Sequence, residues 1–298
     1  MTLIVSGLLL LGLIAYQLWG TGIQTREAQR SLEKDFQTLV TTTIPSSTTP
    51  GSTTPTSTTP ITVEIPKNGE VIAHMVIPKM DLDVYVVEGV SYKDLRVGPG
   101  RYPNTPMIGQ LGNAAIAGHR TTFGSPFGEI EKLEPGDDII LDTTYGRFTY
   151  QVTGYEVVRP TDVRVISNST PDVATLTLTT CHPRFSSSKR YIVYSELVKQ
   201  DAPSREIVVV PNKTDPAIQE PAVAFSEGWW HDSAAWSHVA LWTAALLLIV
   251  GLVLLAKRLF SQRFRFTFPL ALLLAAAPFS VCLYFFYQNL SRLLPTNI

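Results

Sequence analysis

The stretch VATLTLTTCHPRFSSSKRYIVYSELV, Val173 to Val198, decides the fold. Its first nine residues alternate small or apolar side chains with threonine, the two-residue period of a strand. Its last nine, RYIVYSELV, are rich in the aromatic and β-branched residues that pack well on a pleated surface. The link HPRFSSSK is short and polar, so an antiparallel hairpin is expected that returns Arg190 toward Cys181. Strand alternation puts Leu176 and Leu178 on a core face. It puts Thr175, Thr177, Thr179 and Cys181 on the other face, expected to be polar.

Working outward, similar β-rich runs recur between turn signals: EVIAHMVIP, DVYVVEG, NAAIAG, DDIILDT and RFTYQVTGYEVV. No long amphipathic helix interrupts them. Residues 62–200 therefore read as an all-β barrel or sandwich of seven or eight strands.

The flanks are of another kind. Residues 1–20 hold the apolar run Leu3 to Trp19, just long enough to span a bilayer. A cleaved signal peptide would want a basic start and a small-residue cleavage site, and neither is apparent. Residues 21–61 read as a polar helical stem, with Leu32, Phe36 and Leu39 roughly on one side, followed by the linker TTTIPSSTTPGSTTPTSTTP. That linker carries no charge and almost no large apolar side chain, so it cannot bury enough surface to fold. Residues 201–235 read as a second, proline-bearing connector. Two further spans are expected at 236–257 and 266–288, the last containing Pro278. Trp229, Trp230 and Trp236 precede the first of them as interfacial aromatics. Lys257, Arg258, Arg263 and Arg265 crowd the short loop between the two, which should stay cytoplasmic. The β domain is then extracellular, Met1 is cytoplasmic, and the protein is a multi-pass membrane protein in contact with lipid.

Charge excludes one class of function. With 24 basic and 25 acidic side chains and no basic patch, no nucleic-acid partner is expected. Two cysteines cannot make a disulfide framework, and Cys181 and Cys282 are expected as free thiols. No cofactor and no metal are expected: one cysteine in the β domain and scattered histidines give no metal-ligand spacing. The acidic cluster Glu129, Glu131, Glu134, Asp137 and Asp138 reads as a solvated turn, since its spacing fits no calcium loop.

A thiol on a polar strand face points to reactivity more than to packing. His182 is adjacent to Cys181, and on a regular strand it would aim to the opposite face. His119 is the better base. A short apolar strand delivers it into a turn flanked by Gly118 and Gly124, which allow a tight backbone and close ligand approach. Together Cys181, His119 and Arg190 make a mechanism: a thiolate attacks a carbonyl, an imidazolium protonates the leaving amine, and a guanidinium holds the developing oxyanion.

These residues resemble a sortase, the membrane-anchored cysteine transpeptidase of Gram-positive bacteria, over roughly residues 71–198. TLTTC at 177–181, GHR at 118–120 and the arginine at 190 carry the resemblance. It implies an eight-stranded β-barrel with His119, Cys181 and Arg190 as the catalytic triad. GPGRYPNTP at 98–106 and GHRTTFGSPFGEIEKLEPGD at 118–137 are similar to the class E branch, with class D as second choice. The resemblance implies that a secreted protein's C-terminal Leu-Ala-X-Thr-Gly or Leu-Pro-X-Thr-Gly signal is cut between Thr and Gly. The acyl group passes from Cys181 to an amine of a lipid II-type peptidoglycan precursor. It implies Tyr102 near the signal's second position and Thr180 assisting the oxyanion through its backbone or its hydroxyl. Phe123 stands where a tyrosine is usual, and two C-terminal spans depart from the family's single N-terminal anchor. A thiol peptidase that hydrolyses its acyl-enzyme, and a non-enzymatic wall-spanning receptor or adhesin, stay open as alternatives.

Overall fold

The structure, a computed structural model, describes residues 2–43, 61–64, 66–168, 171–201, 207–210, 235–260 and 267–293. Most of the Thr/Pro-rich linker, whose first three residues end the helix Thr21–Thr43, and most of the second connector lie outside the described residues.

Eight strands close into a barrel in the order β2-β3-β4-β5-β8-β9-β7-β6. β2 (Val71–Ile77) and β3 (Leu82–Glu88) form a hairpin over a 3-10 turn at Pro78–Met80. β3 runs parallel to the two-residue β4 (Gly100–Arg101), which pairs antiparallel with β5 (Gly112–Ala117). β5 runs parallel to β8 (Ala174–His182), and β8 turns back into β9 (Lys189–Asp201). β9 pairs with β7 (Gly146–Val158), β7 with β6 (Asp138–Thr143), and β6 closes on β2. The runs read from the sequence supply seven of these strands. β4 escaped because two residues show no period.

Met75, Ile116, Leu141, Phe148, Leu176 and Leu178 belong to the main core cluster. A second buried cluster lies on the other face of β5, β8 and β9, where Ala115, Ala117, Cys181 and Ile192 pack with Tyr102, Val165 and Ile166. The face of β8 read as polar is therefore buried too. Alternation held, but the 3-10 helix Val163–Ile166 and the chain around Tyr102 cover that face. Its threonines fit there because their hydroxyls are paired. Thr177 donates to Asn113 Oδ1 at 2.8 Å, and Thr179 shares a hydrogen bond with Tyr102. Asn113 in turn donates to the carbonyls of Val165 and Ser167, both at 3.2 Å, fixing the cover to β5.

A separate two-stranded parallel sheet joins β1 (Ile61–Glu64) to β10 (Ile207–Val210), the latter in a segment read as connector. The helical part of the expected stem, α2 (Thr21–Thr43), is not free-standing. Leu32 and Phe36 bury against Val71 and Val87, worth about 1.5–3 kcal/mol for each large side chain. The Gln29 amide donates to the carbonyls of Tyr85 (3.0 Å) and Val97 (2.8 Å) and accepts from the Tyr85 N–H (2.7 Å).

The N-terminal and C-terminal helices form their own compact unit. α4 (Ala235–Phe260) and α5 (Thr267–Leu290) are long and apolar enough to cross a membrane. Trp242 of α4 stacks on Phe285 of α5 at 4.8 Å. Leu247, Leu248 and Leu273 stay 67%, 64% and 73% exposed, an apolar surface suited to lipid. Three spans were expected. The first helix, α1 (Thr2–Ala15), continues through a π-helical turn at Tyr16–Gly20. α1 packs on α5 through Tyr16 and Tyr284, and the Tyr287 hydroxyl donates to the Leu9 carbonyl at 2.8 Å.

Candidate active site

The β8–β9 hairpin pairs Cys181 directly with Arg190. The Arg190 Nη1 donates to the Cys181 Sγ at 3.6 Å, and also to the carbonyls of Ser187 (3.0 Å) and Lys189 (3.2 Å). The loop carbonyls thus aim the guanidinium at the sulfur. Both side chains are buried, Cys181 only 2% exposed and Arg190 5%. Burial pushes the thiol up to about 11, outweighing the Arg190 and Arg120 charges that draw it down. Burial thus favours the neutral thiol over the thiolate.

His119 arrives from the neighbouring strand. β5 and β8 run parallel with Ala117 opposite Thr179. Beyond that pair the Gly118 N–H donates to the Thr179 carbonyl (3.1 Å), and the Thr180 hydroxyl donates to the Gly118 carbonyl (2.7 Å). This extra stitching carries the register past the strand end and brings His119 level with Cys181. Gly118 is required by close approach: a Cβ there would lie 2.6 Å from the Phe127 ring. His119 is 1% exposed, and its imidazole packs on the Phe123 ring at 4.9 Å.

Arg120 had no assigned role in the sequence and has one here. Its Nη1 donates to the backbone carbonyl of Cys181 at 3.3 Å, and its Nη2 pairs with Glu131 at 2.5 Å. Its guanidinium also lies 5.6 Å over the Tyr191 ring. The residue after His119 thus reaches across to hold the residue that bears the thiol. Glu131, read as part of a solvated turn, is its counter-ion. The readable signal was an arginine directly after an apolar strand, where a buried charge needs a partner.

Tyr102 is buried, and its hydroxyl lies 3.1 Å from Thr179 Oγ1, two residues before the thiol. Burial pushes its phenol up to about 12, so it stays neutral. It lines a cavity of about 200 Å³ with Val90, Thr105, Val163 and Ile166. The loop that carries it is fixed by a buried ion pair, in which Arg101 binds Glu88 through Nε (2.8 Å) and Nη2 (2.6 Å). Arg101 Nη1 donates to the carbonyls of Tyr102, Thr105 and Pro106.

For Thr180 the correction concerns the hydroxyl alone: it is fully buried on the core side and donates to the Gly118 carbonyl, so it is committed to tying the His119 strand to the Cys181 strand. His182 points away from Cys181, with its ring 5.7 Å from Tyr191, and burial lowers its pKa. Among the described residues no cluster of three His, Cys, Asp or Glu side chains could hold a metal ion.

The Sortase domain family model matches residues 75–198. Sortase SrtE1 of Streptomyces coelicolor is 32% identical over 215 residues, covering 66% of this chain and 55% of its own length. Sortase D of Bacillus subtilis is 34% identical over 137 residues, covering 45% of this chain and 67% of its own. The chain thus spans little more than half of SrtE1. A crystal structure of Sortase E1 from Streptomyces coelicolor with a tripeptide in its active site is 34% identical. That match covers 51% of this chain and 98% of that one, with a TM-score of 0.43. The matched segment runs from β2 into β9 and takes in His119, Cys181 and Arg190, and on that match and the Sortase D relative the chain belongs to the sortase family.

Proposed function

We propose that the protein is a membrane-anchored cysteine transpeptidase with Cys181 as nucleophile, His119 as acid–base and Arg190 as oxyanion donor. The observation that carries this is the direct pairing of Cys181 with Arg190 at 3.6 Å, beside the strand that delivers His119. The buried neutral thiol passes its proton to the His119 imidazole as Sγ attacks the Thr carbonyl of a sorting signal. Arg190 donates to the oxyanion of the tetrahedral intermediate. The imidazolium then protonates the glycine nitrogen, the Thr–Gly bond breaks, and a Cys181 thioester remains. An amine replaces the thiolate, His119 takes the amine's proton, and the neutral thiol returns.

The cavity beside Tyr102 supports a substrate role for that residue near the signal's second position. The lipid II-type amine as acceptor is part of the same proposal. So is the orientation: β domain outside, Met1 inside, with the N-terminal apolar run as a third crossing. Four basic residues at 257–265 support it, because positive loops stay cytoplasmic.

The test uses the full chain in detergent with Leu-Ala-X-Thr-Gly and Leu-Pro-X-Thr-Gly peptides and a glycine amine. Mass analysis should find the Thr–amine ligation product, lost in Cys181→Ala. Hydrolysis alone at saturating amine would make the protein a peptidase. Peptide left intact by the wild type would remove the enzyme reading.

A further inference from the structure

Helix α2 reaches the active site at one point. Thr21, its first residue, is buried, and its Oγ1 accepts the Phe123 N–H at 3.0 Å. The loop after His119 is unusual: Phe123, Gly124 and Ser125 all have left-handed backbones, with φ of 50°, 76° and 43°. A phenylalanine in that region persists only where its surroundings over-determine it. α2 supplies much of that constraint. Thr21 binds the Phe123 amide. Thr25 Oγ1 donates to the Arg96 carbonyl at 2.9 Å, and Gln24 Oε1 accepts from Arg96 Nη2 at 2.8 Å. Arg96 then lies 5.6 Å over the Phe123 ring, and Tyr92 closes on the same ring edge-to-face at 6.1 Å. The same ring also meets the His119 imidazole, at 4.9 Å.

We infer that Thr21 is a positioning residue for His119: its hydroxyl fixes the Phe123 loop, and the Phe123 ring fixes the plane of the imidazole. Helix α2 is then a working part of the catalytic domain. This rests on His119 being the acid–base of the proposed reaction. An imidazole that must face both Sγ and a leaving nitrogen depends on its orientation, and small displacements lower kcat more than they weaken binding.

The experiment is steady-state transpeptidation by the full chain in detergent. Thr21→Val keeps the side chain's shape and removes the acceptor. It should lower kcat about tenfold with KM unchanged, and move the imidazole limb of the kcat/KM pH profile. Thr21→Ser keeps the acceptor and should restore both. Gln29→Leu removes the bonds to Tyr85 and Val97, away from the loop; it should lower Tm and leave the pH profile in place. A Thr21→Val enzyme with wild-type kcat and pH profile overturns the inference. So does one whose activity falls only in step with its Tm while the pH profile stays put. His119→Ala separates the two levels. If it is inactive while Thr21→Val is silent, only this inference fails; if it is fully active, the site reading fails first.

Discussion

At the scale of single residues, burial sets the state of the sulfur. Its burial raises the thiol to about 11, so at neutral pH alkylation of Cys181 by iodoacetamide should run roughly 100-fold slower than for free cysteine. The sign follows from the cause. Removing water from around a thiolate favours the neutral form, so the rate should climb with pH through about 11. Arg190→Ala, which deletes a charge that lowers the thiol, should push that midpoint higher. A midpoint at or below that of free cysteine would contradict the account. The sequence placed Cys181 on the correct side of β8, because alternation depends only on backbone geometry. It misjudged the exposure, because what covers that side comes from residues 102 and 163–166, distant in sequence and contributed by loops. The Thr180 hydroxyl could not be placed for a related reason: its partner, here Gly118, is a fact of tertiary structure.

At the scale of elements, the site depends on short segments that carry little periodic signal. β4 is two residues, yet it bears Arg101, and Arg101 with Glu88 forms a pair only 0% and 1% exposed. Burial raises the Glu88 pKa, and Arg101 opposes that shift. Removing one partner leaves a charge uncompensated in the interior, so Arg101→Leu should cost about 3–5 kcal/mol in denaturant unfolding of the catalytic domain. Glu88→Gln/Arg101→Met together should recover much of that loss. Equal losses in the single and double variants would show that the pair is not coupled. Helix α2 gives the matching lesson. Its docking stripe is Thr21, Thr25, Gln29, Leu32 and Phe36, a run of i+4 and i+3 steps. Three of those five residues are polar, so apolar periodicity saw only Leu32 and Phe36 and grouped them with Leu39, which is exposed.

At the scale of the molecule, an eight-stranded barrel and a unit of apolar helices share one chain. The two long apolar helices were legible because length and hydropathy alone define them, and the barrel because seven of its strands are short β-rich runs between turn signals. Deleting residues 232–298 removes α4 and α5. If these helices limit the domain's reach or dock a partner, client proteins in cells should be anchored at a different rate while peptide turnover in detergent is unchanged. Unaltered localisation and anchoring would rule out that role. The central claim, that one sulfur carries the acyl group, is tested most directly by trapping the intermediate. The full chain is mixed with a sorting-signal peptide, quenched in acid without amine, digested and analysed by mass spectrometry. The account predicts the acyl fragment ending in threonine on the peptide that contains Cys181, and none in Cys181→Ala. An acyl group on another residue, or turnover of the peptide by Cys181→Ala, would contradict it.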